Sequence, residues 1–304
     1  MLSAKTKKHE QTMEIAFHIG ANCTDEDRLL KSLLKNAEAF SSAGIKVPGP
    51  GKYRRLIRET IQNLNGAAPA LETRDILLDA ILDEVEAHRL VMSNSNFVCV
   101  PNRIFDNGVF YEQTEAKVRG LLDLFPQDQI EFFIAVVNPA TFLPDVFAAS
   151  KAGTLDTYLK GMHPVDIRWS DMIARIQMAA PNAKLTVWCN EDTPLIWAEL
   201  IRALAGIDQT VRITGGFDLL ANIMAPQGMN RFLNYMRQHP PQSQAQKRKI
   251  IAAFLDKYAL DDQIEEVVDI PGMTGEMVEQ LTSIYDEDVA RISQMPGIRF
   301  IHPD

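Results

Sequence analysis

Ile15-Ala-Phe-His-Ile-Gly-Ala-Asn-Cys-Thr-Asp-Glu-Asp-Arg-Leu-Leu-Lys-Ser-Leu-Leu34 reads as a buried strand, a tight glycine turn and an amphipathic helix. Ile15–Ile19 is a short apolar run of strand length, and Leu29, Leu30, Leu33 and Leu34 recur at the spacing of one helix face. That order is the architecture of a phosphate-binding loop, where backbone N–H groups at a helix N-terminus face an anion and a lysine adds full charge. The phosphate-binding residues are missing. Gly20 is the only glycine between residues 15 and 43, and Thr24-Asp25-Glu26-Asp27 stand where a Lys-Ser or Lys-Thr pair would end the loop. Thr24 reads as the helix N-cap, with Asp27 three residues later closing a variant capping box. Asp25, Glu26 and Asp27 then occupy the positive end of the helix dipole, where a phosphate would have to go. A divalent cation could bridge them to a phosphate. The plainer reading is a capped helix that supports a sheet.

Working outward, further strand signals lie at Leu90–Val91 with Phe97–Val100, Ile130–Val137 and Leu185–Cys189, with a fainter one at Val211–Ile213. Helical periods separate them: Ile76 to Val85, Met172 to Met178, and Ile196 to Leu204. Strands that are apolar throughout, alternating with helices, predict an α/β fold with a mostly parallel sheet covered on both faces. The last third differs. Phe217–Met224, Met229–Gln238, Ser243–Tyr258 and Glu276–Ser293 read as helices, broken at Pro226, Pro240-Pro241 and Pro271-Gly272. These are expected to pack around the sheet, so residues 13–304 form one domain behind a polar N-terminal arm, 1–12. The polar run Gln238 to Lys249 is the expected exposed loop.

Composition narrows the function classes. No uncharged apolar run reaches the roughly 18 residues of a membrane span, and no apolar segment follows Lys5, Lys7 and Lys8 as in a signal peptide. A membrane partner is therefore not expected. A formal charge of −9 argues against general nucleic-acid binding. The charge is uneven: residues 1–60 hold eleven Lys/Arg against seven Asp/Glu, so this fifth is positive and the remainder strongly negative. An anion site belongs in the N-terminal fifth. Three widely spaced cysteines, Cys23, Cys99 and Cys189, form no disulfide framework and point to a reducing, cytoplasmic setting. With His18 they fall at strand ends, yet no CxxC or HxxxH spacing supports a metal, and none is assigned. His18 itself reads as a hydrogen-bonded structural histidine.

His18-Ile-Gly20, a polar turn, a Leu-rich helix and then Ala43-Gly-Ile-Lys-Val-Pro-Gly-Pro-Gly-Lys-Tyr53 resemble the opening of the sulfotransferase-like family. That opening runs roughly HIG-x-x-KTGTT, helix, G-[VI]-x-[YV]-PGPG-[RK]-Y. Leu90-Val-Met-Ser93, Leu124-Phe-Pro126, Val136-Val-Asn-Pro139, Ala205-Gly-Ile-Asp208 and Tyr285-Asp-Glu-Asp288 extend the likeness in short pieces. The resemblance implies a three-layer P-loop-type fold and an enzyme using the phosphosulfate donor PAPS. It also implies that Gly20, Asn22 and Thr24 belong to the donor loop. The departures are in the donor contacts. The family's KTGTT aligns with Cys23-Thr-Asp-Glu-Asp27, its 3′-phosphate arginine with Val137, and its serine partner with Asp145. Each lost charged hydrogen bond to phosphate is worth roughly 1.5–3 kcal/mol. The expectation is a degenerate member without donor binding, non-catalytic or repurposed, and no cofactor is assigned.

The best remaining anion site is Val47-Pro-Gly-Pro-Gly-Lys-Tyr-Arg-Arg-Leu-Ile-Arg58. A helix starting near Lys52 or Tyr53 carries Lys52, Arg54 and Arg55 in its first turn, where acids are usual, and Arg58 one turn on. A solvated basic face explains this, and so does an acidic or carbohydrate ligand. His88, Glu59 and Glu112 are candidate general bases in an active transferase. Two alternatives stay open: an active sulfotransferase or other group transferase with unusual donor binding, and an interaction protein with no small-molecule site.

Overall fold

The computed structural model describes residues 12–83, 85–260 and 273–303. Residues 1–11 of the expected arm and the Pro271-Gly272 break lie outside them. The chain is a three-layer α/β fold. Its strands are β1 (Glu14–His18), β2 (Ile45–Lys46), β3 (Arg89–Ser93), β4 (Gln129–Val136), β5 (Lys184–Cys189) and β6 (Ile298–Ile301), all parallel in the order β2-β3-β1-β4-β5-β6.

β1 is central because both its faces must be buried. Ile15 pairs with Leu90 and Ile130, and Phe17 with Met92 and Phe132. These residues point to one face, with Leu185 and Val187 of β5. Ala16, Val91, Phe133, Ala135 and Trp188 point to the other. The period of two thus divides each strand between two apolar layers.

The first layer holds α3 (Arg54–Leu64), α4 (Thr73–Leu82), α5 (Thr114–Leu124), α6 (Pro139–Ala148), α8 (Trp169–Ala179) and α13 (Gly275–Ser293); the short α7 (Leu155–Leu159) joins them through Tyr158 and Leu159. The second holds α1 (Arg28–Leu34), α2 (Ala37–Ser42), α9 (Thr193–Ala205), α10 (Asp218–Ile223), α11 (Pro226–Gln238) and α12 (Gln244–Tyr258). Phe232 of α11 and Ile251 of α12 share a core cluster with sheet residues, so the helical last third packs on the sheet. No helix among the described residues is long and apolar enough to cross a membrane.

Several expectations need correction. Phe97–Val100 and Val211–Ile213 are not strands. The edge strands β2 and β6 are not among the expected strands: β2 has only two residues, and β6 is a four-residue, largely part-exposed strand. The break expected at Pro226 does separate two helices, α10 and α11, but Pro226 itself opens α11 at its first turn, where its missing N–H costs nothing. Gln244–Lys249 of the expected loop is the start of α12, capped by Ser243 Oγ accepting from the Gln246 N–H at 3.1 Å.

The N-terminal end of the sheet is locked by Arg89, which is 2% exposed. Its guanidinium donates to Glu14 at 2.7 Å, Glu131 at 2.6 Å and the Leu204 carbonyl at 2.9 Å. Gly206 ends α9 at φ 67° beside it. A Cβ there would lie 2.7 Å from Arg89 Nε, so glycine serves both the turn and the close approach.

The connections place the functional crevice. The chain leaves β1 toward the α1 layer, whereas it leaves both neighbours, β3 and β4, toward the α3 layer. The sheet therefore opens at the C-terminal end of β1, the topological switch point where ligands of open α/β sheets bind.

Candidate functional site

Three segments meet at that opening: the turn 19–27 after β1, the loop 94–100 after β3, and the N-terminus of α3. The turn after β1 is filled by its own bonds. Gly20, at φ 121°, brings the backbone close to Ser95. Ala21 N–H and Gly20 C=O pair with Ala135 of β4. Asn22 is buried. Its backbone N–H donates to Tyr111 Oη at 3.1 Å, and that hydroxyl donates to Asn22 Oδ1 at 2.7 Å. Its amide nitrogen donates to Asn96 Oδ1 at 2.8 Å and to the Cys99 carbonyl at 3.1 Å.

The capping box expected from Thr24 and Asp27 is absent. Cys23, Glu26 and Asp27 all have positive φ, so the acidic run coils as a turn and α1 starts only at Arg28. Thr24 Oγ1 donates to the Ala21 carbonyl at 2.9 Å and does not cap. Asp25 caps the helix instead. Its carboxylate accepts the Leu29 N–H at 3.1 Å and its carbonyl the Arg28 N–H at 2.7 Å. One carboxylate thus sits at the helix N-terminus, where it meets the first free N–H groups.

Asp27 faces the other way. Arg54, from the start of α3, holds it in a bidentate pair, with Nη1 at 2.9 Å from Oδ2 and Nη2 on Oδ1. The same guanidinium donates to the Ser93 carbonyl from Nε at 3.0 Å and Nη2 at 2.8 Å. Tyr53 Oη donates to that carbonyl at 2.6 Å and accepts the Ser93 N–H at 2.9 Å. The hydrogen bonds from Arg54 hold the Asp27 carboxyl below its ordinary pKa of 3.8. The Pro-Gly segment and the acidic turn, opposite in charge and read separately in sequence, clasp each other.

His18 lies just beneath. It is 1% exposed, and its Nδ1 lies 2.9 Å from Ser93 Oγ. Burial lowers its pKa below 6.5, opposed by the Asp25 and Asp27 carboxylates. A neutral, fully enclosed imidazole suits a structural hydrogen bond.

The four predicted anion-binding residues do not converge. Arg54 holds Asp27. Lys52 pairs with Asp83 at 3.2 Å and Arg55 with Glu59 at 2.7 Å, both toward solvent. Arg58, with Arg54 beside it, lines a cleft between α3, the β3 loop and α5; the nearest carboxylate contact of Arg58 is Glu59 at 3.8 Å. That cleft has a volume of about 310 Å³ and brings in Arg103 and Lys117, two cations that no sequence motif marks. They lie far from Arg58 in sequence and share no period with it, so only the fold brings them together.

Of the candidate bases, Glu59 is tied to Arg55. His88 is exposed at the N-terminal end of β3, the opposite end of the sheet from the crevice. Glu112 is exposed just before α5. No triad of base, orienting group and nucleophile assembles from these three. Val137 is buried, and its carbonyl accepts from Trp169 Nε1 at 2.7 Å, while Asp145 lies exposed on α6. The cysteines are protonated thiols at neutral pH: burial, then the Asp145 and Glu26 charges, push Cys23 up to about 11, and burial first pushes Cys99 and Cys189 up to about 12. No cluster of three His, Cys, Asp or Glu side chains among the described residues is arranged to hold a metal. Compared with known proteins, the chain matches no protein-family model, no curated protein and no solved structure.

Proposed function

We propose that this chain is a repurposed sulfotransferase-like protein that does not bind PAPS and instead holds a small acidic ligand beside α3. The observation that carries the reading is the Arg54–Asp27 clasp over the turn after β1. A donor phosphate in that turn would have to displace an internal carboxylate from its guanidinium. It would also meet Asp25, whose carboxylate already takes the Leu29 N–H. Like charge at a helix N-terminus opposes anion binding instead of promoting it. With no lysine in the turn, and Val137 and Asp145 at the positions aligned with the 3′-phosphate contacts, several charged hydrogen bonds are missing, each worth roughly 1.5–3 kcal/mol.

Calorimetric titration with adenosine 3′,5′-bisphosphate, the product nucleotide of sulfuryl transfer, tests this. No micromolar binding that persists when Lys117, in the cleft beside α3, is replaced by methionine is expected; binding that persists would overturn the reading.

A further inference from the structure

The cleft between α3, the β3 loop and α5 is lined by four cations, Arg54, Arg58, Arg103 and Lys117, and by no carboxylate. In a chain of net charge −9 this is a local inversion of sign. Two of the four have dedicated acidic partners outside the cleft. Arg54 is held by Asp27, and Arg103 by Asp106 at 2.6 Å, although Asp106 also takes Lys160 at 2.6 Å. The other two do not. Glu59, 3.8 Å from Arg58, is bound more closely by Arg55, and Lys117 makes no ion pair among the described residues. Burial first, and the neighbouring Arg103 charge second, lower the pKa of the Lys117 ammonium. A cation held near another cation and partly out of water is stabilised by an anion that enters between them.

The cleft also has neutral recognition groups. Asn94, Asn96, Gln62 and Gln113 line it with amides, and Ile57, Ile61 and Val100 with apolar surface. Its volume is at the small end of the roughly 300–1,000 Å³ typical of small-molecule sites. Charge decides the head group: two cations without dedicated partners match a dianion better than the single charge of a carboxylate or a sulfate ester. Arginine beside lysine is also a donor set suited to phosphate oxygens.

We propose that this cleft binds the dianionic head of a small phosphate monoester, held between Arg58, Arg103 and Lys117, with the body of the ligand against the amide and apolar wall. None of residues 19–27 lines the cleft, although Arg54 and Asn96, which bond to the clasped turn, border it. It rests on the proposed function only in giving the acidic ligand a place and a chemical class.

Phenyl phosphate, glucose 6-phosphate and phenyl sulfate are titrated calorimetrically into the wild-type chain, Lys117→Met and Arg58→Gln. At least one of the two phosphates binds saturably to the wild type, phenyl sulfate binds at least tenfold more weakly than phenyl phosphate, and each variant loses at least tenfold. Arg58 is 60% exposed and methionine keeps the stem of Lys117, so thermal melts are expected to match the wild type. If Lys117→Met fails to fold, Arg58→Gln carries the test alone. Failure of both phosphates to bind, equal binding of the sulfate, or wild-type affinity in a folded variant overturns the proposal. Adenosine 3′,5′-bisphosphate separates it from the proposed loss of donor binding. Micromolar binding that survives Lys117→Met refutes the closed donor turn and not the cleft, whereas silence of all phosphates refutes the cleft and not the closed turn.

Discussion

Removing the Arg54–Asp27 clasp tests whether it closes the turn after β1. The perturbation is a double-mutant cycle of Asp27→Asn and Arg54→Met. The pair consists of two parallel N–H···O bonds between side chains 40% and 26% exposed. Exposed pairs contribute about 0.2–1 kcal/mol and broken buried pairs cost about 3–5 kcal/mol, so this half-buried bidentate pair should show a coupling of about 1–2 kcal/mol. Arg54→Met costs more than Asp27→Asn, because it also removes two donors from the Ser93 carbonyl. The hydroxyl of Tyr53 still satisfies that carbonyl, which limits the whole loss to about 2–3 kcal/mol.

The assay is urea unfolding of the four proteins at pH 7 and at pH 3. The folded-state pKa of Asp27 is below its ordinary 3.8, so the unfolded chain binds its proton first as pH falls. The clasp's contribution is therefore complete above pH 3.8 and is lost as pH falls through the lower, folded value. The coupling should be present at pH 7 and reduced at pH 3. A coupling under about 0.5 kcal/mol at pH 7 would mean the turn is held by its other bonds, those to Tyr111, Asn96, Cys99 and Ala135, and the clasp would no longer account for a closed site.

Two further outcomes follow from the same packing. Arg89→Met should destabilise the chain by about 3–5 kcal/mol in urea unfolding, because Glu131, 13% exposed, loses one of its two cationic partners and the Leu204 carbonyl loses a donor; a change under about 1 kcal/mol would show that Lys184 and solvent suffice. Because the folded-state pKa of His18 lies below 6.5, its contribution is complete above pH 6.5 and falls as pH drops toward the folded value, by up to about 1.4 kcal/mol per pH unit. Wild-type stability should therefore drop between pH 7.5 and 5.5 more than that of His18→Gln, and equal slopes would refute the assignment.

The fold was legible where one residue's burial determines its neighbours' character. Continuous apolar strands such as Ile15–Ile19 and Leu185–Cys189 can only lie between two helical layers, and the leucine spacing of α1 says which side faces the sheet. β2 and β6 escaped because a two-residue or half-exposed edge strand needs no such run. Thr24 misled because capping depends on backbone angles: three positive-φ residues delayed the helix and moved the cap to Asp25. The cleft was illegible for another reason. Arg58 signalled itself by its place in a basic segment, but Arg103 and Lys117 become its neighbours only when β3 and α5 dock.

The clasp and the cleft are two consequences of one arrangement. A helix entered through Lys52 and beginning with Arg54 and Arg55 puts positive charge at the positive end of its own dipole, and this is stable only if acids approach from outside. Asp83, Asp27 and Glu59 do so, one for each cation. Lys52 and Arg55 are paired toward solvent, Arg54 is held by Asp27 while lining the cleft, and Arg58, one turn later, is left with only a distant share of Glu59. It lines the cleft with Lys117 and Arg103, and Asp106, the partner of Arg103, is shared with Lys160.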